Sequence, residues 1–379
     1  MKTKGIDQVL VTGGLGFIGS HLVDILIDRG YDVKILDNLE PQVHGNKGEL
    51  PSYVNEKATL IRGDVREKKD LSKVVKEIDA VIHLAAAVGV GQSMYQINKY
   101  VSYNTGGTAN ILDLIVNSDN SIKKLVVASS MSIYGEGKYS CKNCGEVYPQ
   151  LRTEDQVSSG DWEPKCPVCE KEITSIHTDE KKPLMPTSLY AQTKRHQEEM
   201  CLLIGKSYSL PTVALRFFNV YGPRQSLSNP YTGVCAVFSS RILNGKPPYV
   251  FEDGKQQRDF VNVKDLANAN VLALEKSNAN YQAINVGSGQ PISILRLAEI
   301  LINLYDANLE PKISKRYRKG DIRHCYADIT KAKALLGYEP TVSITDGLNE
   351  LVEYGKANNW ASVDLFEKSL RELEERKLI

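Results

Sequence analysis

The chain has no apolar run long enough to cross a bilayer. Its longest, Ala80 to Val90, is broken by His83 and is about half the length a membrane-spanning helix needs. It also lacks an excess of either charge, because 47 basic side chains are matched by 46 acidic ones, leaving a formal net charge of +1 over 379 residues. Without a basic field there is no general grip for a nucleic acid or an anionic membrane surface, so neither is expected as a partner. Disorder is excluded by composition, since 42% of the residues are hydrophobic. The basic start, Met1 to Lys4, is followed only by Val9 to Val11 before glycines begin, which makes neither a leader nor an anchor. These absences predict a soluble cytoplasmic protein of one large or two ordinary domains. Cysteine is present, but not as a disulfide framework. There are seven, an odd number, and four fall in two close pairs, which suits metal binding in a reducing compartment.

What is there is a rhythm. Short apolar runs at Val9–Thr12, Val33–Asp37, Thr59–Arg62, Ala80–Leu84 and Lys124–Ser129 alternate with stretches of helical spacing, such as Ile18, Leu22, Ile25 and Leu26. Strands that alternate with helices predict an α/β fold, a doubly wound parallel sheet covered on both faces. The polar, turn-rich segment 136–178 interrupts the pattern and reads as an insertion. Helical spacing resumes at Tyr190 to Lys206, Val213 to Phe218 reads as a further strand, and the chain beyond is richer in Pro and Gly. Residues 1–214 are therefore expected to form one domain and 215–379 a smaller lobe, with parts of 259–290 returning to the first. The last stretch, Asp364 to Ile379, reads as a docked terminal helix.

Thr12 is followed by Gly13, Gly14, Gly16, Phe17, Ile18 and Gly19 between a strand and a helix. Glycines there let backbone amides approach a pyrophosphate at the positive end of the helix, which predicts a dinucleotide cofactor. Asp37 ends the second strand where an acid can bind the adenosine ribose, and it would repel a 2'-phosphate, so NAD is expected over NADP. Asp64, at the next strand end, either meets the adenine or caps a helix. Tyr190 and Lys194 are four residues apart, one turn along a helix, and a nearby ammonium favours the phenolate. Such a tyrosine can take a proton from an alcohol while hydride leaves for a cofactor. The serine-rich turn Ser129 to Gly135 follows the fifth strand at the edge where open sheets place their chemistry, and its Ser130 can hydrogen-bond the reacting oxygen.

With these motifs the chain resembles the extended short-chain dehydrogenase/reductases, and among them the nucleotide-sugar epimerases and dehydratases. The resemblance adds His83-Leu84-Ala85-Ala86, Asn104 with Gly107 to Asn110, Arg216 to Arg224, Arg258 to Val261 and Gly320-Asp321. It implies a Rossmann-type first domain with a smaller C-terminal substrate lobe and a nucleoside-diphosphate sugar as substrate. It makes Ser130, Tyr190 and Lys194 catalytic and gives the cofactor Gly13, Gly16, Phe17, Ile18, Gly19, Asp37, Asn38, Asp64, Val65, Leu84, Ala85, Ala86 and Asn104, together with Tyr190 and Lys194. Ser130, Ser132, Asn219, Arg224, Arg258 and Arg318 are implied for the substrate. A homodimer through the helices after Asn104 and Tyr190 is implied as well. Where the sugar dehydratases carry an Asp-Glu pair after the catalytic hydroxyl, this chain has Met131 and Ser132, neither of which is an acid at neutral pH. Oxidation, rotation of the keto-sugar and return of hydride to its other face then remain, which is 4-epimerisation.

Cys141, Cys144, Cys166 and Cys169 form two Cys-x-x-Cys pairs at close to zinc-ribbon spacing. Four thiolates would fill a tetrahedral ion and leave no open position, so structural zinc is expected, with redox disulfides or free thiols as the alternative. The ribbon either staples a long loop or covers the sugar pocket. Its placement, together with Ser132 to Gly137 and Arg224 to Gly233, is similar to the dTDP-L-rhamnose 4-epimerases. A UDP-sugar 4-epimerase, a net reductase and a non-catalytic NAD-binding regulator are the competing readings.

Overall fold

The computed structural model describes residues 5–45, 48–225, 233–358 and 365–379. Met1 to Lys4, most of the Arg224 to Gly233 stretch and Asp364 lie outside them. Seven parallel strands form the central sheet: β1 (Gln8–Thr12), β2 (Asp32–Asp37), β3 (Thr59–Arg62), β4 (Ala80–His83), β5 (Lys124–Ser130), β6 (Thr212–Phe217) and β7 (Gln282–Val286). Their spatial order is β7-β6-β5-β4-β1-β2-β3, so the chain reverses direction between β1 and β4. That reversal opens a crevice at the carboxyl ends of the strands.

Strand side chains alternate between faces, and each face has its own core. Val9, Val11, Ile35, Ile82, Val126, Val213 and Ile284 pack on one side with Leu22 and Leu26 of helix α1 (Phe17–Asp28). Leu10, Leu36, Val81, Leu125, Val127 and Ala214 pack on the other with Leu71 and Val74 of α2 (Lys68–Val75), Ile111 and Leu112 of α3 (Gly107–Asn117) and Cys201 of α4 (Leu189–Ser207). Because both faces are covered, the strands are continuously apolar, without the alternation of a half-exposed sheet. A helix from the later chain, Val263–Glu275, packs beside α1, where Arg29 pairs with Glu275 at 2.9 Å.

A second lobe is built on a three-stranded sheet of Asn219–Tyr221, Gln257–Asn262 and Pro291–Ser293. Its own core joins Tyr221, Phe238, Phe260, Leu297, Leu301, Leu348 and Leu351. Segment 136–178 forms a small antiparallel sheet of Gly145–Val147, Lys138–Cys141 and Thr174–Ile176. The four paired cysteines converge at one end of it, their sulfurs all within 4.8 Å of one another.

This insertion docks on the second lobe through buried charge. Arg323, 0% exposed, reaches Glu163 of the insertion at 2.6 Å and Glu252 and Asp253 of the lobe at 2.8 and 2.7 Å. Arg152 of the insertion pairs with Glu252 at 2.9 Å, both side chains 3% exposed. Glu136 accepts the backbone amides of Arg323 and His324, each at 2.7 Å. A Cβ on Gly137 would overlap the His324 carbonyl oxygen, so glycine is required for this approach. Among the described residues no helix is long and apolar enough to cross a membrane.

Candidate active site

The crevice holds a cavity of about 470 Å³ lined by the glycine loop, the ends of β2, β4 and β5, the start of α4 and the edge of the second lobe. Gly13, Gly16, Phe17, Ile18, Gly19, Asp37, Asn38, Asp64, Val65, Leu84, Ala85, Ala86, Ser130, Ser132, Tyr190, Lys194 and Asn219 all line it. The glycines are dictated by close approach. Gly13 has φ 71°, and a Cβ there would lie 2.9 Å from the Ala85 nitrogen, while one on Gly19 would overlap the Gly13 carbonyl oxygen.

At the β2 end, the Asp37 carboxylate accepts the amides of Leu15 (3.1 Å) and Leu39 (2.9 Å), which fixes its direction. Glu40, which sequence reasoning missed, also lines this end and bonds Tyr103 and Lys99 at 2.7 and 2.9 Å. Burial raises its pKa, but the bonds from Tyr103 and Lys99 prevail and hold it below the usual range. Asp64 does not cap the helix that follows, whose cap position is Glu67, and its carboxylate closes a local turn at the cavity wall. It lines the cavity and bonds the Arg66 amide at 2.9 Å, while Asn38 and the Arg66 side chain reach its carboxylate at 2.9 and 2.6 Å. Burial raises Asp64 too, and the Arg66 and Asn38 bonds overcome it.

At the other end, α4 begins at Ser188, whose hydroxyl caps the Ala191 amide at 3.2 Å, and the Tyr190 amide is held by Ser93 Oγ at 3.0 Å. Ser132 Oγ donates to Ser130 Oγ at 2.9 Å, and the Ser130 hydroxyl faces the Tyr190 phenol. The expected lowering of the Tyr190 pKa by Lys194 does not outweigh burial in this structure. Burial raises Tyr190, and the Ser130 hydroxyl is what opposes it. Lys194, 3% exposed, is itself pushed down to about 8 by burial, against Cys201 and Glu198. His83 beneath it is held neutral, at about 3, by burial and by the Lys194 charge. Asn219 presents a buried Oδ1 with no hydrogen-bond partner among the described residues.

Four expected contacts are not brought to the cavity. Asn104, 0% exposed, spends its amide on both backbone groups of Ala87 and on Thr193, so it anchors the loop after β4 and does not face the cofactor space. Arg224 pairs with Asp24 of α1 at 2.7 Å and lies over the Tyr53 ring. Arg318 is exposed, bonds Asp321 at 2.8 Å and lies over Phe251. Arg258 donates to the carbonyls of Gln257, Arg323 and Ile322 at 2.8, 2.8 and 2.6 Å. No arginine is among the described residues that line the cavity, and none of the lining residues comes from 136–178. The insertion therefore does not cover the pocket in this structure.

A family model described as "NAD dependent epimerase/dehydratase family" matches residues 9–154 and 156–287. The chain belongs to this family. A dTDP-L-rhamnose 4-epimerase of Burkholderia thailandensis is 35% identical over 91% of this chain and 93% of its own length. A putative UDP-glucose 4-epimerase of Methanocaldococcus jannaschii is 34% identical over 93% of this chain and 99% of its own. Among solved structures, the UDP-glucose 4-epimerase of Thermotoga maritima with UDP-glucose has a TM-score of 0.76 at 30% identity, covering 93% of this chain and 99% of that one. The cavity fits the family's cofactor. The glycine loop packs against Ala85 and on itself at the start of α1 only because Gly13 and Gly19 lack Cβ atoms, and two carboxylates, Asp37 and Glu40, line the β2 end of the cavity, where they suit ribose hydroxyls and would repel a 2'-phosphate.

Proposed function

We propose that the protein is an NAD-dependent nucleotide-sugar 4-epimerase, with a dTDP-6-deoxy sugar, dTDP-L-rhamnose, as the favoured substrate. The observation that carries the reaction class is the grouping of Ser130, Tyr190 and Lys194 at one end of a cavity whose other end is the glycine loop. When bound, NAD supplies the acceptor and donor of hydride. Tyr190 takes the proton of the sugar hydroxyl and later returns it, Ser130 hydrogen-bonds the same oxygen, and the Lys194 ammonium steadies the phenolate. The lining carboxylates, Asp37, Glu40 and Asp64, all stand at the β2–β3 end, and beside Ser130 are Met131 and Ser132. Elimination of water would need an acid and a base at the sugar, so epimerisation is favoured over dehydration.

For the substrate, Asn219 offers its unpaired Oδ1 to a donor, and Val88, Gly89 and Val90 give a small uncharged wall that suits a deoxy sugar. The Burkholderia relative, a dTDP-L-rhamnose 4-epimerase, supports dTDP-L-rhamnose, while the Methanocaldococcus and Thermotoga relatives support UDP-sugars as the second reading. Arg258 sits two residues from the pocket-lining Phe260 on one strand, hence on the same face. It reaches the diphosphate by trading main-chain carbonyls for phosphate oxygens. The test is proton NMR of a panel of dTDP- and UDP-sugars incubated with the NAD-loaded protein. A new anomeric signal with no net NADH is expected, lost in Tyr190→Phe. Full turnover in that variant would overturn the mechanism, and net consumption of NADH would favour a reductase.

Two further features belong to this reading. The Cys141, Cys144, Cys166 and Cys169 sulfurs fit a structural zinc ion, since Zn–S bonds of about 2.3 Å place tetrahedral ligands about 3.8 Å apart and Cys141 and Cys169 stand 3.6 Å apart. One zinc per chain by elemental analysis is the expected outcome. A homodimer is supported by the exposed apolar side chains Ile97 and Val101 beside α4 and Leu203 on it, and light scattering reads it directly.

A further inference from the structure

Behind the catalytic serine lies a buried ion pair that the reaction as described does not use. Glu198 follows Lys194 by one turn of α4 and Tyr190 by two, and its side chain is 3% exposed. Its carboxylate is bonded by Arg216 of β6 at 2.6 and 3.0 Å and accepts the Ser129 hydroxyl at 2.7 Å. Ser129 and Arg216 are register partners on adjacent strands, so the sheet itself brings them to one carboxylate. The remaining arm of Arg216 donates to the Tyr134 hydroxyl at 2.7 Å, and Tyr134 donates to Asn285 at 2.7 Å. Ser129 and Tyr134 bracket the one-turn segment Met131–Tyr134 and its cap Ser130. One ion pair thus holds both ends of the loop that presents Ser130 and Ser132, and it is mounted on the helix that presents Tyr190 and Lys194.

We propose that Glu198 and Arg216 are positioning residues that set the Ser130–Tyr190 geometry and keep the Lys194 ammonium charged. Two physical consequences make this more than a structural brace. The distance from Ser130 to Tyr190 depends on the loop and on α4, and a shift of a fraction of an ångström at a reacting pair costs turnover before it costs stability. The Glu198 charge also opposes the desolvation of Lys194. The groups facing that ammonium are Glu198 and Cys201 on its own helix, Tyr190 one turn before it, and His83 from β4, which is neutral. Cys201 and Glu198 both favour the charged form, and of the two Glu198 is the one that carries a full charge, since burial pushes the Cys201 thiol up to about 12.

The inference rests on the epimerase reading, and its test separates the two. Ser129→Ala removes one bond to Glu198 and leaves the ion pair intact, Tyr134→Phe releases the other end of the loop, and Glu198→Gln removes the charge. In the NAD-loaded protein, kcat should fall about tenfold for each of the first two and about a hundredfold for the third, with KM and NAD content unchanged. Only Glu198→Gln should move the alkaline limb of the pH–rate profile, to lower pH, because Lys194 then loses its proton sooner. A merely structural role would leave that limb in place. If the parent turns over no nucleotide sugar, the epimerase reading fails. If the parent is active and Tyr190→Phe is dead, while Ser129→Ala and Tyr134→Phe keep kcat within twofold of the parent, the positioning role is overturned whether or not Glu198→Gln folds.

Discussion

Two buried arginines use the same chemistry for different ends. Arg216 sits between Glu198 and Tyr134 in the sheet beneath the cavity, and Arg323 sits between Glu163, Glu252 and Asp253 where the insertion meets the second lobe. Each pairing raises the guanidinium pKa against its own burial, so both remain charged. What differs is what the partners carry. The groups around Arg216 belong to the two elements that present Ser130, Tyr190 and Lys194. Those around Arg323 join the cysteine insertion to the lobe and contribute nothing to the cavity lining. A buried ion pair is weak evidence of stability and says little of function by itself. Its meaning comes from the elements it ties together.

The comparison can be broken by removing each arginine in turn. Arg216→Met and Arg323→Met both strand a buried carboxylate, and each should lower stability in urea by about 3–5 kcal/mol. At a temperature where both are folded, turnover should part them. Arg216→Met is expected to lose at least about a hundredfold in kcat and Arg323→Met less than about threefold. Equal losses would erase the distinction.

The next effect is on pH. Burial lowers Lys194 to about 8, so its ammonium is present below that pH and is lost as pH rises through it. Activity should then fall about tenfold per unit above pH 8, well before an exposed lysine would titrate. An alkaline limb near 10 in the NAD-loaded enzyme would contradict the buried setting of Lys194.

Arg258→Ala should raise KM about tenfold at unchanged kcat, which would show that its present hold on carbonyls is exchanged for substrate. An unchanged KM would leave Arg258 as a brace for segment 322–323. The smallest effect on catalysis is expected from Cys166→Ser. It should lose metal and loosen amide exchange protection in 136–178, while kcat changes by less than about threefold, because that segment lines no part of the cavity.

Much of the site was legible in the chain because its chemistry depends on local geometry. A glycine loop between a strand and a helix needs no partner to be recognised, and Tyr190 and Lys194 share a face because a helix repeats every 3.6 residues. The Cys-x-x-Cys pairs are readable for the same reason, each being a turn long. Asn104 shows the limit. Its residue type is right for binding, but only packing shows that Ala87 and Thr193 consume its amide. Arg224, Arg258 and Arg318 lie in recognisable motifs, yet a long side chain on a strand end or loop takes whichever carboxylate, ring or carbonyl is in reach. Glu198 and Arg216 left no signal as a pair, since they are neighbours only once α4 has folded back onto β5 and β6.

The sequence by itself determined the strand–helix alternation, the class of cofactor, the shared helix face of Tyr190 and Lys194 and the two Cys-x-x-Cys pairs, all of which follow from backbone periodicity and short spacings. The tertiary structure alone decided that the insertion docks on the second lobe away from the cavity, that three arginines stand outside it, and that burial raises Tyr190 and lowers Lys194. The reason is physical. Spacing along a chain specifies which groups can share a face, whereas desolvation and long-range pairing depend on what the rest of the fold brings against them.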